Sequence, residues 1–263
     1  MNPNLFNPAG RLFEFLSASW YAADGRIVAA VWGQYLDADT SEQAAEFYSA
    51  IGSLFQLPNE VRERVDRLVD PPISKHQLVR SLAEVEAVFG TVSNIHSNNI
   101  QWLKQFFHQG TLSDLETCSG ILNHQSGQSV ASSNGDDGGE ESGLDAIRRL
   151  AEEISELVIA ASGELPPEVA RVLYEYASAL IRSVDLFKIT GPEGVAKEFE
   201  RFVGGLIRTP VVTAATPRSI WERLGFINKA LVFMGATVKG TGQLAVEAGQ
   251  ARESIEQLLE NLS

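Results

Sequence analysis

Nineteen residues from Gln125 to Gly143, QSGQSVASSNGDDGGEESG, contain one apolar side chain larger than alanine, Val130. A stretch with so little to bury cannot offset the entropy lost on ordering it, so the sequence predicts a flexible acidic Gly/Ser linker here. On either side lie stretches of helical pattern, 1–124 and 144–263, each of a size at which a chain forms its own core. The expected fold class is therefore all-α, with two helical domains. An N-terminal multi-helix domain spans 1–124, the linker spans 125–143, and a C-terminal helical bundle of about five helices spans 144–263.

Charge narrows the function classes. The net charge is −13 over 263 residues. Eight basic stand against fourteen acidic residues before the linker, four acidic residues lie within it, and thirteen basic stand against sixteen acidic residues after it. With no part basic overall, attraction to phosphate backbones is disfavoured and no nucleic-acid partner is expected. The single cysteine, Cys118, excludes an intramolecular disulfide and points to a reducing, cytoplasmic setting. LFEFLSASWYAA near the N-terminus holds Glu14 and follows no basic segment, so it reads as a first helix rather than a signal sequence. No run approaches the roughly 18 apolar residues that suggest a membrane span.

The helical pattern can be followed from residue to residue. Asn7-Pro8 opens a helix, since Asn accepts from orphan amides and Pro at the first position has no amide to leave unpaired. Leu12, Leu16, Ser19 and Ala23 share a face, Asp24-Gly25 breaks the pattern, and Ile27 to Tyr35 resume it. Thr40 with Gln43, and Ser74 with Gln77, have the spacing of capping boxes. Phe47, Ile51, Leu54 and Phe55 form the next stripe, followed by Val61, Val65 and Leu68, then by Leu78, Leu82, Val85 and Phe89. Gly90 is placed to close a helix in the left-handed conformation. Residues 94–107 suggest a further helix with Ile95, Trp102 and Phe106, and Leu115, Cys118 and Leu122 complete the first domain.

After the linker, Ile147, Leu150, Ile154, Leu157 and Ala161 step by 3 and 4, as on a helix packed against a partner. Val169 to Phe187 and Val195 to Leu206 supply two more helices, divided near Thr190-Gly191-Pro192. Val211 to Ala215 has the composition of a short strand, although a lone strand has no pairing partner here. Ile220, Leu224, Ile227, Leu231, Met234 and Val238 keep a 4-3-4-3-4 rhythm, and Leu244, Ala248, Ala251, Ile255, Leu258 and Leu262 repeat it. That spacing suits bundle-like packing.

Chemistry-bearing groups are sparse. His108, Glu116, Cys118 and His124 are the one cluster resembling metal ligands, but no pair among its histidines and cysteine has the i, i+4 spacing that shares a helix face. Asp136, Asp137, Glu140 and Glu141 lack the alternating order of an EF-hand loop. Residues 235–242, GATVKGTG, have their lysine before the second glycine, unlike a phosphate loop. No nucleophile elbow occurs, and Cys118 has no neighbouring base in sequence. No metal, cofactor or catalytic residue is expected, and the balance leans away from an enzyme, though carboxylates that converge only in the fold keep that reading open.

One region stands out. From Arg201 to Lys239 there are six basic residues against the single acidic Glu222, and within it residues 224–238 are apolar around most of a helix. Arg218, Arg223, Lys229 and Phe233 are the candidate interaction surface. Such a helix can be the centre of a bundle, a docking face for a protein partner or another copy, or a membrane contact. The leading expectation is a non-enzymatic interaction or assembly protein, with a membrane-associated or membrane-active effector using helix 217–238 as the alternative.

Overall fold

A computed structural model describes residues 2–38, 40, 44–125, 143–161 and 163–234. These residues are mostly α-helical, and no strand occurs among them; the only extended pairing described is an isolated bridge between Ile27 and Asn99. By internal contacts the described residues fall into two compact units, one drawn from 1–136 with 188–191, the other from 137–187 with 192–263.

The first unit is built on α1 (Pro8–Trp20), which a 3-10 turn (Pro3–Phe6) precedes. Asn7 caps it as its sequence predicts, accepting from the Gly10 amide at 2.9 Å. The same side chain also donates from Nδ2 to Ser119 Oγ and to Asn123 Oδ1, each at 2.9 Å, so it ties the chain's start to α8 (Gln109–Gln125), more than a hundred residues later. Gly10 is required there: a Cβ would lie 2.1 Å from the Asn4 carbonyl oxygen of the preceding turn.

Between them run α2 (Val28–Leu36), α3 (Ala44–Leu54), α4 (Leu57–Asp66), α5 (Lys75–Val79), α6 (Leu82–Phe89) and α7 (Ile100–Leu103). Phe15 of α1 lies at the centre of an aromatic cluster, with its ring 5.0 Å from Trp32, 5.5 Å from Tyr35 and 6.2 Å from Phe89. Trp32 is fully buried, and its indole donates to Ser19 Oγ at 3.1 Å, which satisfies the one polar atom that burial would otherwise leave stranded.

Several local expectations change here. Residues 94–107 do not form one helix: a 3-10 turn (Val92–Asn94) and the one-turn α7 replace it, with Asn99 capping α7 by accepting from the Trp102 amide. The asparagines that weaken the helical pattern divert hydrogen bonds to side chains, as at Asn98 Nδ2, which donates to the Asn94 carbonyl. Gly90 keeps right-handed geometry, and the left-handed cap belongs to Asp37, after α2. Ser74 caps α5, while Gln77 answers through its side-chain oxygen instead of the Ser74 amide. Gln43, the second half of the other expected capping box, lies outside the described residues.

In the second unit α9 (Gly143–Ala160) and α10 (Pro167–Asp185) form a hairpin, and α13 (Arg218–Phe233) packs on α9. The core is apolar: Ile147, Leu150, Ile154, Leu173, Leu180, Phe199, Phe202, Leu206, Ile220, Leu224, Ile227 and Leu231 are all buried, while toward the end of α9 Val158 is buried and the expected Leu157 and Ala161 are half-buried. Between α10 and α13 in sequence lie α11 (Phe187–Arg208), whose residues 188–191 are counted with the first unit, and the short α12 (Pro210–Ala215). α11 is kinked at Gly191, whose φ of 63° and ψ of −168° are open to glycine, and Pro192 follows with no amide to continue the ladder. Residues 211–215, strand-like in composition but without a neighbouring strand to pair with, lie in α12, where the backbone satisfies itself locally.

Helices α8 and α9 reach residues 125 and 143, so the body of the sequence-defined linker, 126–142, lies outside the described residues. So do the glycine-containing connection 235–242 and the apolar stripe from Leu244 to Leu262.

Candidate interaction surface

Along α13 the buried positions Ile220, Leu224, Ile227, Leu231 and Met234 advance by 4, 3, 4 and 3 residues and turn one face to the unit's core. The opposite face is exposed. It carries Arg218, Glu222, Gly225, Phe226, Lys229 and Val232, with Phe226 57% and Val232 59% exposed.

The four residues singled out from sequence divide among different environments. Arg218 pairs one turn along its own helix with Glu222, Nε to Oε1 3.0 Å. Arg223 leaves the outer face and reaches α9, where its Nε donates to Glu153 Oε2 at 2.8 Å. Arg149 donates to the other oxygen of the same carboxylate at 2.6 Å. Burial works to raise the Glu153 carboxyl, but the hydrogen bonds from Arg149 and Arg223 outweigh it and hold the group below the usual carboxylate range. Lys229 remains on the outer face, its Nζ 5.3 Å from the centre of the Phe226 ring, within cation–π range. The side chain of Phe233 lies outside the described residues.

The basic excess read from 201–239 is thus partly neutralised by carboxylates. Glu153 comes from a helix 70 positions earlier, and Arg201 has Glu198 at 3.6 Å on its own helix. A charge count confined to a window cannot register such partners. Phe226 and Val232 were also available to sequence reasoning. At 100° per residue, Phe226 lies about 200° from Leu224 and about 100° from Ile227, off the buried stripe. The apolar character of 224–238 concealed that, over 224–234, only one stripe is core.

Elsewhere the groups that could carry chemistry are used structurally. Thr111 Oγ1 is buried, donates to Glu84 and lies 2.7 Å from His108 Nδ1, which itself is 2.9 Å from Glu84 Oε2. Hydroxyl, imidazole and carboxylate are the parts of a nucleophilic triad, but the wiring is different. In a triad the base takes the hydroxyl proton on one nitrogen while the carboxylate holds the other. Here threonine and glutamate meet the same nitrogen, and the hydroxyl proton goes to glutamate. The grouping fastens the start of α8 to α6.

Cys118 is fully buried, and burial pushes its thiol up to about 12, which removes the thiolate needed for nucleophilic or metal chemistry. Of the other residues weighed as ligands, Glu116, His108 and His124 are exposed, and among the described residues no three His, Cys, Asp or Glu side chains converge on a common point. Also among the described residues, no helix is long and apolar enough to cross a membrane.

No protein-family model matches the chain, and neither a curated protein nor a solved structure shows significant similarity to it.

Proposed function

We propose that this chain is a non-enzymatic interaction or assembly protein, cytoplasmic, made of two helical domains on an acidic tether, and that it engages a protein partner or another copy of itself through the outer face of α13. One observation carries this reading: two large apolar side chains, Phe226 and Val232, lie more than half exposed beside Lys229 on a helix whose opposite stripe is fully buried. Apolar surface flanked by charge is the composition of a docking face. The membrane-effector alternative has weaker support, because Arg218 and Arg223 are engaged by Glu222 and Glu153 and leave little positive charge to meet an anionic headgroup.

Co-purification with mass spectrometry, together with sedimentation velocity, tests the reading on wild type and Phe226→Asp. The variant should keep its helicity and melting temperature while losing association. Association unchanged in the variant would refute the assignment of the face, and salt-sensitive binding of wild type to anionic vesicles would favour the membrane reading instead. The domain division has its own test. Limited proteolysis should cut first between Gln125 and Gly143 and leave two helical fragments.

A further inference from the structure

We infer that the partner of the outer α13 face is a second copy of this chain, paired helix against helix in antiparallel fashion about a two-fold axis that passes between Gly225 and Phe226. The inference deepens the reading of that face as a docking surface, and it rests on that reading.

The outer face has a pattern of its own. Arg218, Glu222, Gly225, Lys229 and Val232 are all exposed and advance by 4, 3, 4 and 3 residues, the rhythm that the buried stripe keeps on the opposite side. A helix with one such stripe packs on one neighbour, and a second stripe is a seam for another helix. Phe226 borders the seam, and with Val232 it leaves apolar area open to water.

Charge selects the occupant and its direction. About an axis between residues 225 and 226, an antiparallel copy sets Glu222 opposite Lys229 of the other copy, and the symmetry makes the same contact twice. Both groups have capacity for it. Among the described residues Lys229 meets only the Phe226 ring, and Glu222 gives Oε1 to Arg218 while Oε2 takes no hydrogen bond. A parallel copy in register would instead set Glu222 against Glu222 and Lys229 against Lys229, like charges at both places.

Shape agrees at the axis. A Cβ at Gly225 would meet no described atom within 4 Å, so nothing in its own chain calls for glycine there, although glycine weakens a helix interior relative to alanine. Where two helices cross, a missing side chain lets their axes approach, and in this alignment Gly225 faces Phe226 of the other copy, whose ring fills the space. The 16 residues of α13 make a seam about 24 Å long. One helix face is small against the roughly 1,600 Å² of a standard interface, which makes the pairing reversible, in the micromolar range or weaker.

Sedimentation velocity on the full chain, over a concentration series, tests the inference by exchanging charges. Glu222→Lys and Lys229→Glu each oppose like charges twice across the axis, and each should weaken self-association at least ~10-fold. Mixed in equal amounts, the two variants offer opposite charges at both places and should associate about as well as wild type, as should the double variant. Both side chains are exposed, so the helicity and melting temperature of each variant should match wild type. If one melts early, the mixture still decides, because a damaged fold is not repaired by a copy carrying the other substitution. A wild type still monomeric at about 1 mM would overturn the inference. So would single variants that associate as wild type does, or a mixture that associates no better than its components. Capture of a different protein by a monomeric wild type, lost in Phe226→Asp, would overturn the self-pairing alone and leave the docking face standing. Self-association that Phe226→Asp leaves unchanged would remove the face and the pairing together.

Discussion

The two units hold themselves together by different means. In the first, short helices meet through buried polar joints made by residues far apart in sequence: Asn7 with Ser119 and Asn123, Trp32 with Ser19, Arg11 with Glu60. In the second, helices of 18, 19 and 16 residues meet through continuous apolar stripes, and the ion pairs, such as Arg149 with Glu153 or Arg148 with Asp185, sit at the surface. A polar joint depends on two particular residues, whereas a stripe is a sum over many. Substitutions of similar chemistry should therefore have unequal consequences in the two units, and a set of variants can measure how unequal.

The largest effect is expected from a charge forced into the stripe. Leu231 is fully buried, so an aspartate there would place a charge in the core. Leu231→Asp should cost several kcal/mol, enough to unfold the second unit, with loss of about that unit's share of the helical circular dichroism signal. Retained helicity and an unchanged melting temperature would show that α13 is not held by its stripe.

Next comes a matched pair of carboxylate deletions. Arg11 is 1% exposed and its Nη2 donates to Glu60 at 2.9 Å, while Glu60 itself is 47% exposed. Burial pulls the Arg11 guanidinium down to about 10, against the opposing pull of Glu60. Glu60→Ala leaves a desolvated cation without its main counter-charge and should cost about 3 kcal/mol. The corresponding deletion in the second unit, Glu153→Ala, removes the acceptor of two arginines that can turn to solvent, and should cost under about 1 kcal/mol. Equal costs, measured by denaturant unfolding, would erase the distinction between the units.

Asn7→Ala falls between these two. It removes the cap of α1 and both bonds to α8, and should cost about 1–3 kcal/mol. Ser119→Ala removes one of the same bonds and should cost about 1 kcal/mol. A cost of Asn7→Ala no larger than that of Ser119→Ala would mean that the cap contributes little and that the reach to α8 carries the effect.

The same difference decides what was legible beforehand. The 3-and-4 spacing of Ile147 to Ile154 and of Ile220 to Leu231 sets both helix and buried face, because one local repeat encodes the two. Arg11 and Asn7 carry no comparable mark. Both look like ordinary residues of a helix start, and only the fold brings Glu60 or Asn123 to them. Between residues 94 and 107 the apolar spacing was present, but the competing side-chain bonds of Asn98 and Asn99 won. On α13 the sequence named charges without their partners: Arg223 faces another helix, Lys229 is exposed, and Phe226, legible in principle from its angle to the stripe, was hidden by an apolar background.

The smallest predicted effect sharpens the comparison from the side of pH. Glu153 is held below the usual carboxylate range by Arg149 and Arg223 against the opposing effect of burial. Its unfolded reference lies near 4.3, so the stabilisation it supplies is fully present above that value and is lost as the pH falls through its lower, folded pKa. With a side chain 31% exposed, the whole contribution is under about 1 kcal/mol. Melting of the second unit should therefore decline slightly between pH 5 and 3, and Arg223→Ala should shallow that decline without abolishing it, since Arg149 remains. A second-unit melt equally pH-dependent with and without Arg223 would assign the acid sensitivity to other carboxylates and leave the Arg223–Glu153 contact as geometry without stabilising weight.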